Sequence, residues 1–382
     1  MDRMLSSEEA AKRLGVKITT LYAYVSRGLV SSHPNPNGRS SLFDLDDIER
    51  LAQRSRGGRQ SESRLATVTT SVTQLHQHGG PFYRGRAATE LVATLHFEEV
   101  AALIWNQPPE DDWSPVALGP CPLVGTLDRM RWALVVCGAN DPLRSDLRPE
   151  AVTRAARRVI ASLTDVIATG PTGGDGDAAI AQRLAHRLGA RDPVAVAEAL
   201  DAALILMADH ELATSTMAVR VATSVHTDIY DALLVGLATL AGPLHGGASQ
   251  EAHELLVRAE RDGVATALNE VLRQKRYLPG FGHAVYKSGD ARHDALMRLV
   301  EPLLDPEQSD LVHEVIALAA EHRVPLPNCD LALAALSWGL GLPSDSGRTI
   351  FAIARVSGWT AHYLEELTEP PLRFRARAVY SV

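Results

Sequence analysis

The chain has 382 residues, 46% apolar and 22% charged, with a formal net charge of −8. This is an ordinary globular composition for one to three domains, and it excludes a protein that is basic overall. Three cysteines, Cys121, Cys137 and Cys329, are too few and too scattered for a disulfide framework or a zinc site, and they fit a reducing, cytoplasmic setting. The N-terminus turns polar within ten residues and no apolar run nears the ~20 residues of a membrane span, so no secretory signal and no membrane segment is expected.

Residues 4–30 read as two short helices around a tight turn. Ser6 and Glu9 form a capping box. Ala10 and Leu14 make one apolar stripe, and Gly15 breaks it. The second helix starts near Thr19 or Thr20, carries Leu21 and Val25 on one face and ends at Arg27-Gly28. Asn37-Gly38 is a hairpin tip, and a third helix follows from Asp46 with Leu45, Ile48 and Leu51 on one side. Residues 1–60 hold ten Lys/Arg against seven Asp/Glu, a small local excess in an acidic chain. The almost wholly polar stretch 53–64 marks a linker.

Beyond it, Tyr83-Arg-Gly-Arg leads into a helix with Leu91, Leu95, Val100 and Leu103. From 115 to 240 the pattern is repeatedly helical. Val152, Ala155, Val159 and Leu163 mark one helix, and Val196, Leu200, Ala203, Leu204 and Met207 another. Gly170-Pro-Thr-Gly-Gly-Asp-Gly-Asp between them lacks the features of a P-loop or an EF-hand and reads as a helix–helix connection. Helical segments over 293–320, an extended approach at Pro325–Asp330 and a last helix over about 348–366 complete a nearly all-α chain.

The groups able to do chemistry cluster late. His245 lies in Gly-Pro-Leu-His-Gly-Gly, just before a helix whose positive N-terminal end favours a neutral imidazole. His283 lies in Gly-Phe-Gly-His. Either ring could serve a ligand or satisfy backbone groups in a turn. Asp330 precedes an apolar helix and reads as an N-cap or as a general base. Arg355 sits in an apolar helix with no acidic residue within one turn, so its partner is a bound anion or its head reaches solvent. His210 could be part of a helix start, and Cys329 is a small buried side chain.

Two resemblances follow from these segments. Leu5-Ser-Ser-Glu-Glu-Ala-Ala-Lys-Arg-Leu-Gly-Val, Thr20-Leu-Tyr-Ala-Tyr and Arg27-Gly-Leu resemble the winged helix-turn-helix of the MerR class. That resemblance implies DNA as a partner of residues 1–54, with Lys12, Arg13, Lys17, Arg27 and Arg39 on phosphates and Thr19, Thr20 and Tyr22 at the start of a recognition helix. A docking or oligomerisation module is the other reading.

The collinear motifs Asp209-His210-Glu211-Leu-Ala-Thr, Gly242-Pro-Leu-His-Gly-Gly-Ala, Gly280-Phe-Gly-His-Ala-Val-Tyr-Lys-Ser-Gly-Asp-Ala-Arg292, Asn328-Cys-Asp330, Arg355-Val-Ser-Gly-Trp-Thr-Ala-His362 and Arg375-Ala-Arg-Ala-Val-Tyr380 resemble the citrate synthase family over residues 80–380. That resemblance implies an all-α, two-domain fold: a large domain at 65–249 and 346–382, a small closing domain at 250–345, and a helix-turn-helix domain at 1–54 joined by a linker at 55–64. It implies condensation of acetyl-CoA, or propionyl-CoA in a 2-methylcitrate synthase, with oxaloacetate. Asp330 would be the base, His245 the donor to the thioester oxygen and His283 the donor to the ketone. His210, Arg292, Arg355 and, from the second subunit of a homodimer, Arg375 would hold the carboxylates. Coenzyme A enters only as the substrate's thioester, and no metal or redox cofactor is implied. A regulator that senses metabolites through the synthase fold is a further reading. The sequence departs from the family pattern at Ser249, Ala291 and Ala376.

Overall fold

The computed structural model describes residues 4–14, 16–26, 30–35, 41–45, 48, 68–167, 178–242, 245–275 and 277–375. Arg27, Arg39, the Asn37-Gly38 tip, Asp46, Leu51, the linker at 55–64, the 170–177 connection and 376–382 lie outside the described residues. The chain divides into two compact units, one formed by Met1–Thr69 with Arg375–Val382 and the other by Thr70–Phe374.

In the first unit, strand β1 (Met4–Ser6) leads into helix α1 (Ser7–Leu14) and helix α2 (Ile18–Ser26). Strands β2 (Ser32–Pro34) and β3 (Ser41–Asp44) follow. The sheet order is β1-β3-β2, all antiparallel, with Phe43 opposite both Leu5 and Ser32. The expected capping box is present: Glu9 Oε2 accepts from the Ser6 backbone N–H at 2.9 Å, and the Glu9 N–H donates to Ser6 Oγ at 3.3 Å. Two orphan helix donors are thereby satisfied within four residues of chain. Ala10, Leu21, Phe43 and Ile48 form a small fully buried core, with Leu5, Leu14 and Val25 packed against it. Lys12, Arg13, Lys17, Thr19 and Tyr22 are exposed, and the Tyr22 ring meets Phe43 of that core edge-on, with centroids 6.2 Å apart.

The second unit is helical, with one sheet that the sequence pattern did not suggest. Strands β4 (Thr73–His76), β5 (Gly80–Tyr83) and β6 (Arg86–Ala87) pair antiparallel in that order. The helix expected from Tyr83 onward is two helices, Ala88–Leu91 and Phe97–Trp105. The break falls at His96, whose backbone N–H donates to Glu99 Oε2 at 2.8 Å to cap the second helix.

The helix Ser346–Glu366 organises the rest. It packs on the helices Pro149–Asp165, Pro193–Met207, Thr214–Thr223, Phe97–Trp105, Ile229–Leu240 and Cys329–Gly339. Every residue from Ala352 to Tyr363 on it is buried, including the polar Arg355, Ser357, Thr360 and His362. A helix buried all round needs neighbours on every side, and its polar groups need partners supplied by those neighbours. Among the described residues, no helix is long and apolar enough to cross a membrane.

Candidate active site

Two segments that are remote in sequence are stitched together around His283. The Gly282 N–H donates to Leu326 O at 2.8 Å, the Asn328 N–H to Gly280 O at 2.9 Å, and Asn328 Nδ2 to Gly282 O at 2.7 Å. A bridge pairs Phe281 with Pro327. Gly280 makes this approach possible. It has φ +84°, and a Cβ there would lie 3.0 Å from Leu331 Cβ and 3.2 Å from Ala252 Cβ. The histidine loop is thus fastened to the start of the helix Cys329–Gly339, which carries Asp330.

Asp330 is not the N-cap. That role falls to Asn328, whose side chain accepts from the Asp330 N–H at 2.9 Å. The Asp330 carboxylate makes no hydrogen bond or ion pair among the described residues. It keeps a partial opening to solvent yet is enclosed by protein, and this burial raises its carboxyl to about 6, with Arg292 pulling the other way. It is a free carboxylate whose affinity for protons lies near neutrality, as general-base work requires.

His283 accepts at Nδ1 from the backbone N–H groups of Val285 at 3.1 Å and Tyr286 at 3.3 Å. Two donors on Nδ1 leave the ring proton on Nε2. Burial, reinforced by the nearby Arg292 charge, pushes the imidazole down to about 4, so it is a neutral N–H donor at physiological pH. His210 stands beside it with ring centroids 5.1 Å apart. Burial and the charges of Arg292 and Arg355 hold His210 well below the usual histidine range.

His245 lies before the helix Ala248–Asp262, as its motif suggested. Its Nε2 is 2.8 Å from Ser215 Oγ, which in turn accepts from Trp359 Nε1 at 3.3 Å. An indole N–H can only donate, and His245 Nε2 is the one acceptor recorded for the Ser215 hydroxyl proton among the described residues, so Ser215 donates to Nε2 and the His245 proton sits on Nδ1. Burial and the Arg355 charge lower its pKa, so this ring too is a neutral donor.

The two buried arginines differ. Arg292 is clamped by Asp290, with Nε to Oδ1 at 2.9 Å and Nη2 to Oδ2 at 2.8 Å. Asp290 also accepts from the Arg292 and Cys329 backbone N–H groups, both at 3.1 Å. This fixes the local backbone where Ala291 brings no proline restraint. Arg355 donates from Nε to Met207 O at 3.0 Å, and its guanidinium lies 4.5 Å over the Phe351 ring. Its Nη1 is buried with no partner, and the residue is 1% exposed. A buried cationic donor without an acceptor is costly, and a bound anion is the natural remedy.

Sequence reasoning gave no role to the residues that hold this set in place. Tyr83 Oη lies 3.0 Å from Ile205 O and 3.2 Å from Asp209 O, so it fixes the turn before His210. Glu211, at φ +53°, completes that turn, and its N–H donates to Asp209 Oδ2 at 3.1 Å. Asp209 also accepts from His362 Nε2 at 3.2 Å, and His362 Nδ1 accepts from Arg220 Nη1 at 3.0 Å. Arg220 then pairs with Glu366, which holds Arg373. Arg355 and His362 are seven residues apart on one helix face, a spacing that could have flagged the second residue.

The structure therefore brings His210, His283, Arg292 and Arg355 into one electrostatic neighbourhood, with Asp330 influenced by Arg292 and His245 by Arg355. Among the described residues, no hydrogen bond or ion pair joins Asp330 to His245 or His283. Arg375 is exposed and belongs to the other compact unit. Among the described residues, no three His, Cys, Asp or Glu side chains gather as a metal site.

This geometry has relatives. Residues 120–377 match the family described as citrate synthase, C-terminal domain, and residues 4–56 match a helix-turn-helix domain. The chain is 32% identical over 269 residues to citrate synthase 2 of Bacillus subtilis, covering 66% of this chain and 71% of that protein. It is 30% identical over 338 residues to a 2-methylcitrate synthase of Mycobacterium tuberculosis, covering 78% of this chain and 84% of that one. The fold superposes on a citrate synthase crystal structure from Thermotoga maritima with a TM-score of 0.68 at 26% identity, over 83% of this chain and 94% of the other. It also superposes on a Thermoplasma acidophilum citrate synthase bound to carboxymethyl coenzyme A and oxaloacetate, with a TM-score of 0.70 at 22% identity, over 85% and 96%. With the family match spanning most of the chain, the chain belongs to the citrate synthase family and carries a helix-turn-helix domain at its N-terminus.

Proposed function

We propose that the chain condenses acetyl-CoA with oxaloacetate and water to give citrate and coenzyme A. The observation that carries this reading is Arg355, a buried guanidinium with an unpartnered Nη1 beside two neutral histidines. Such a set of groups suits a small polycarboxylate that also offers an oxygen acceptor.

Asp330 takes a proton from the methyl group of the acetyl thioester. His245 donates through Nδ1–H to the thioester oxygen as it gains enolate charge, a contribution typically worth ~10²–10³ in rate. The enol carbon attacks the oxaloacetate ketone, and His283 donates from Nε2 to the oxygen that becomes the hydroxyl. Arg292, Arg355 and His210 hold the carboxylates. Water then cleaves the citryl thioester. These steps use the chain's own acid–base groups and call for no metal or redox cofactor. The segment 250–345, which carries His283 and Asp330, would act as the small domain closing on the large one at 65–249 and 346–382.

Homodimerisation would complete the site with Arg375 from a second copy. In support, Val221, Val225, Val235 and Val135 are exposed on the adjoining helices Thr214–Thr223, Ile229–Leu240 and Thr126–Ala139 and the turn after the first. The Leu372 N–H donates to Ser224 O at 2.9 Å, beside the exposed Val225 in sequence. The exposed Lys12 and Lys17, together with the helix-turn-helix match, support DNA as a partner of the N-terminal unit. A cytoplasmic location fits a reaction of these substrates.

The test is release of coenzyme A from acetyl-CoA plus oxaloacetate, with propionyl-CoA run in parallel. Release with acetyl-CoA supports the reading, a kcat/KM preference for propionyl-CoA redirects it to 2-methylcitrate synthesis, and release with neither overturns it. Salt-dependent binding to upstream DNA tests the N-terminal unit.

A further inference from the structure

We propose that Tyr286 is a positioning residue that sets the tautomer of His210, keeping that ring's proton on Nδ1 so that it offers an N–H to the bound carboxylate. The inference rests on the condensation reading for the identity of the ligand, but its first readout needs no substrate.

Tyr286 lies between the groups that would touch oxaloacetate. Its hydroxyl is 2.9 Å from His210 Nε2. Its ring stacks on His283, with centroids 4.5 Å apart and planes 19° from parallel, and meets the His210 ring edge-on at 5.5 Å and 88°. The Arg292 guanidinium lies 5.2 Å over the same ring. The residue is 3% exposed. One side chain therefore contacts three of the four substrate-facing groups on this side of the site.

The direction of the hydrogen bond follows from partner accounting. A buried hydroxyl proton needs an acceptor, and His210 Nε2 is the only one recorded for Tyr286 Oη among the described residues. Burial holds that proton on the phenol above the usual tyrosine range. Tyr286 is thus the donor and Nε2 the acceptor, which leaves the single proton of a neutral ring on Nδ1. The opposite arrangement would present a lone pair to an anion and would leave the phenol proton without an acceptor.

The stacking contact supplies a second constraint. His283 is held at Nδ1 by the backbone N–H of Tyr286 itself at 3.3 Å, so ring and backbone of one residue fix the donor opposite the ketone. Tyr286→Phe keeps the stack and removes only the hydroxyl. Tyr286→Leu removes both.

The test uses the full chain labelled with ¹⁵N-histidine, without substrate, followed by steady-state kinetics. In the wild type, His210 Nε2 shows the shift of an unprotonated, hydrogen-bonded nitrogen and Nδ1 that of a protonated one. In Tyr286→Phe the two shifts move toward an averaged mixture. The KM for oxaloacetate then rises about 3- to 10-fold, the worth of one buried hydrogen bond, while kcat at saturation stays within about 3-fold. In Tyr286→Leu kcat falls as well, because His283 loses its stacking surface. A wild-type proton on Nε2 overturns the proposal, as does Tyr286→Phe with unchanged shifts and unchanged KM. The spectrum is read without substrate, so a wild type that releases no coenzyme A defeats the condensation reading alone, and the tautomer stands or falls on the nitrogen shifts.

Discussion

Asp330→Asn should disable the enzyme and stabilise the protein, with the stabilisation dependent on pH. The Asp330 carboxyl sits at about 6 in the fold against 3.8 as its reference value, because burial disfavours the charged form. Between those two values the folded state holds a proton that the unfolded chain has released, so stability falls as pH rises from about 4 to 6. At 1.36 kcal/mol per pKa unit this costs the wild type ~2–3 kcal/mol at neutral pH, the lower figure allowing for screening through the partial opening. Asparagine mimics the protonated acid and never ionises. The variant should match the wild type near pH 3.5 in urea unfolding and exceed it by ~2–3 kcal/mol at pH 7.5. Release of coenzyme A should drop ~10²–10⁴-fold, the usual worth of a positioned base. In the wild type, kcat/KM should fall as pH drops below about 6. Equal stability of the two proteins at pH 7.5, or a rate loss under tenfold, refutes the reasoning.

Two further outcomes follow from the buried charges. Arg355→Lys keeps the charge but loses the planar fork that reaches Met207 O and stacks on Phe351, so the KM for oxaloacetate should rise ~10–100-fold in steady-state assays. Glu366→Gln removes a carboxylate that is 2% exposed and shared by Arg220 Nε at 2.8 Å and Arg373 Nε at 2.7 Å. Urea unfolding should show a loss of ~3–5 kcal/mol, and a loss below 1 kcal/mol would mean the pair is solvated in practice.

What could be read from the chain depended on how local the cause was. The Ser6–Glu9 cap is settled within four residues, and it stands as expected. The helices Pro149–Asp165 and Pro193–Met207 follow their apolar periodicity. The sheet Thr73–Ala87 escaped notice because its strands are two to four residues long, too short to show alternation. Asp330 was ambiguous for a local reason: Asn328 and Asp330 both suit an N-cap, and nothing two residues apart decides between them. The choice follows from the stitching of 280–282 to 326–328, a contact between distant segments. His245, His283, Arg292 and Arg355 were visible as motif residues. The neutral state of His245 was legible from the helix that follows it, but the hydrogen-bond partners were not, because Ser215, Trp359 and Asp290 act from other elements or from unremarked positions in the same loop.

Under the proposed reading, the charges around the base would give Arg375 of a second copy a task beyond holding a carboxylate. Arg292 is already matched by Asp290 in direct contact, and Arg355, with its free Nη1 and Asp209 nearby, offers one cation against the two carboxylates of the substrate. Histidines 210, 245 and 283 are held neutral. Under the proposed reading, oxaloacetate adds two negative charges to this surrounding while Asp330, already raised to about 6, must remain ionised. Like charge disfavours ionisation, so bound substrate alone would raise the base further and weaken catalysis at neutral pH. A cation from outside the set is needed, and the exposed Arg375, supplied by a second copy, is the candidate. The acidic limb of kcat reports the substrate complex, whereas that of kcat/KM reports the free enzyme. In the wild type the two limbs should lie close together. In Arg375→Leu the kcat limb should move to higher pH while the kcat/KM limb stays near 6, a separation that lost affinity alone does not produce. Limbs that stay together in the variant would show that Arg375 has no bearing on the base.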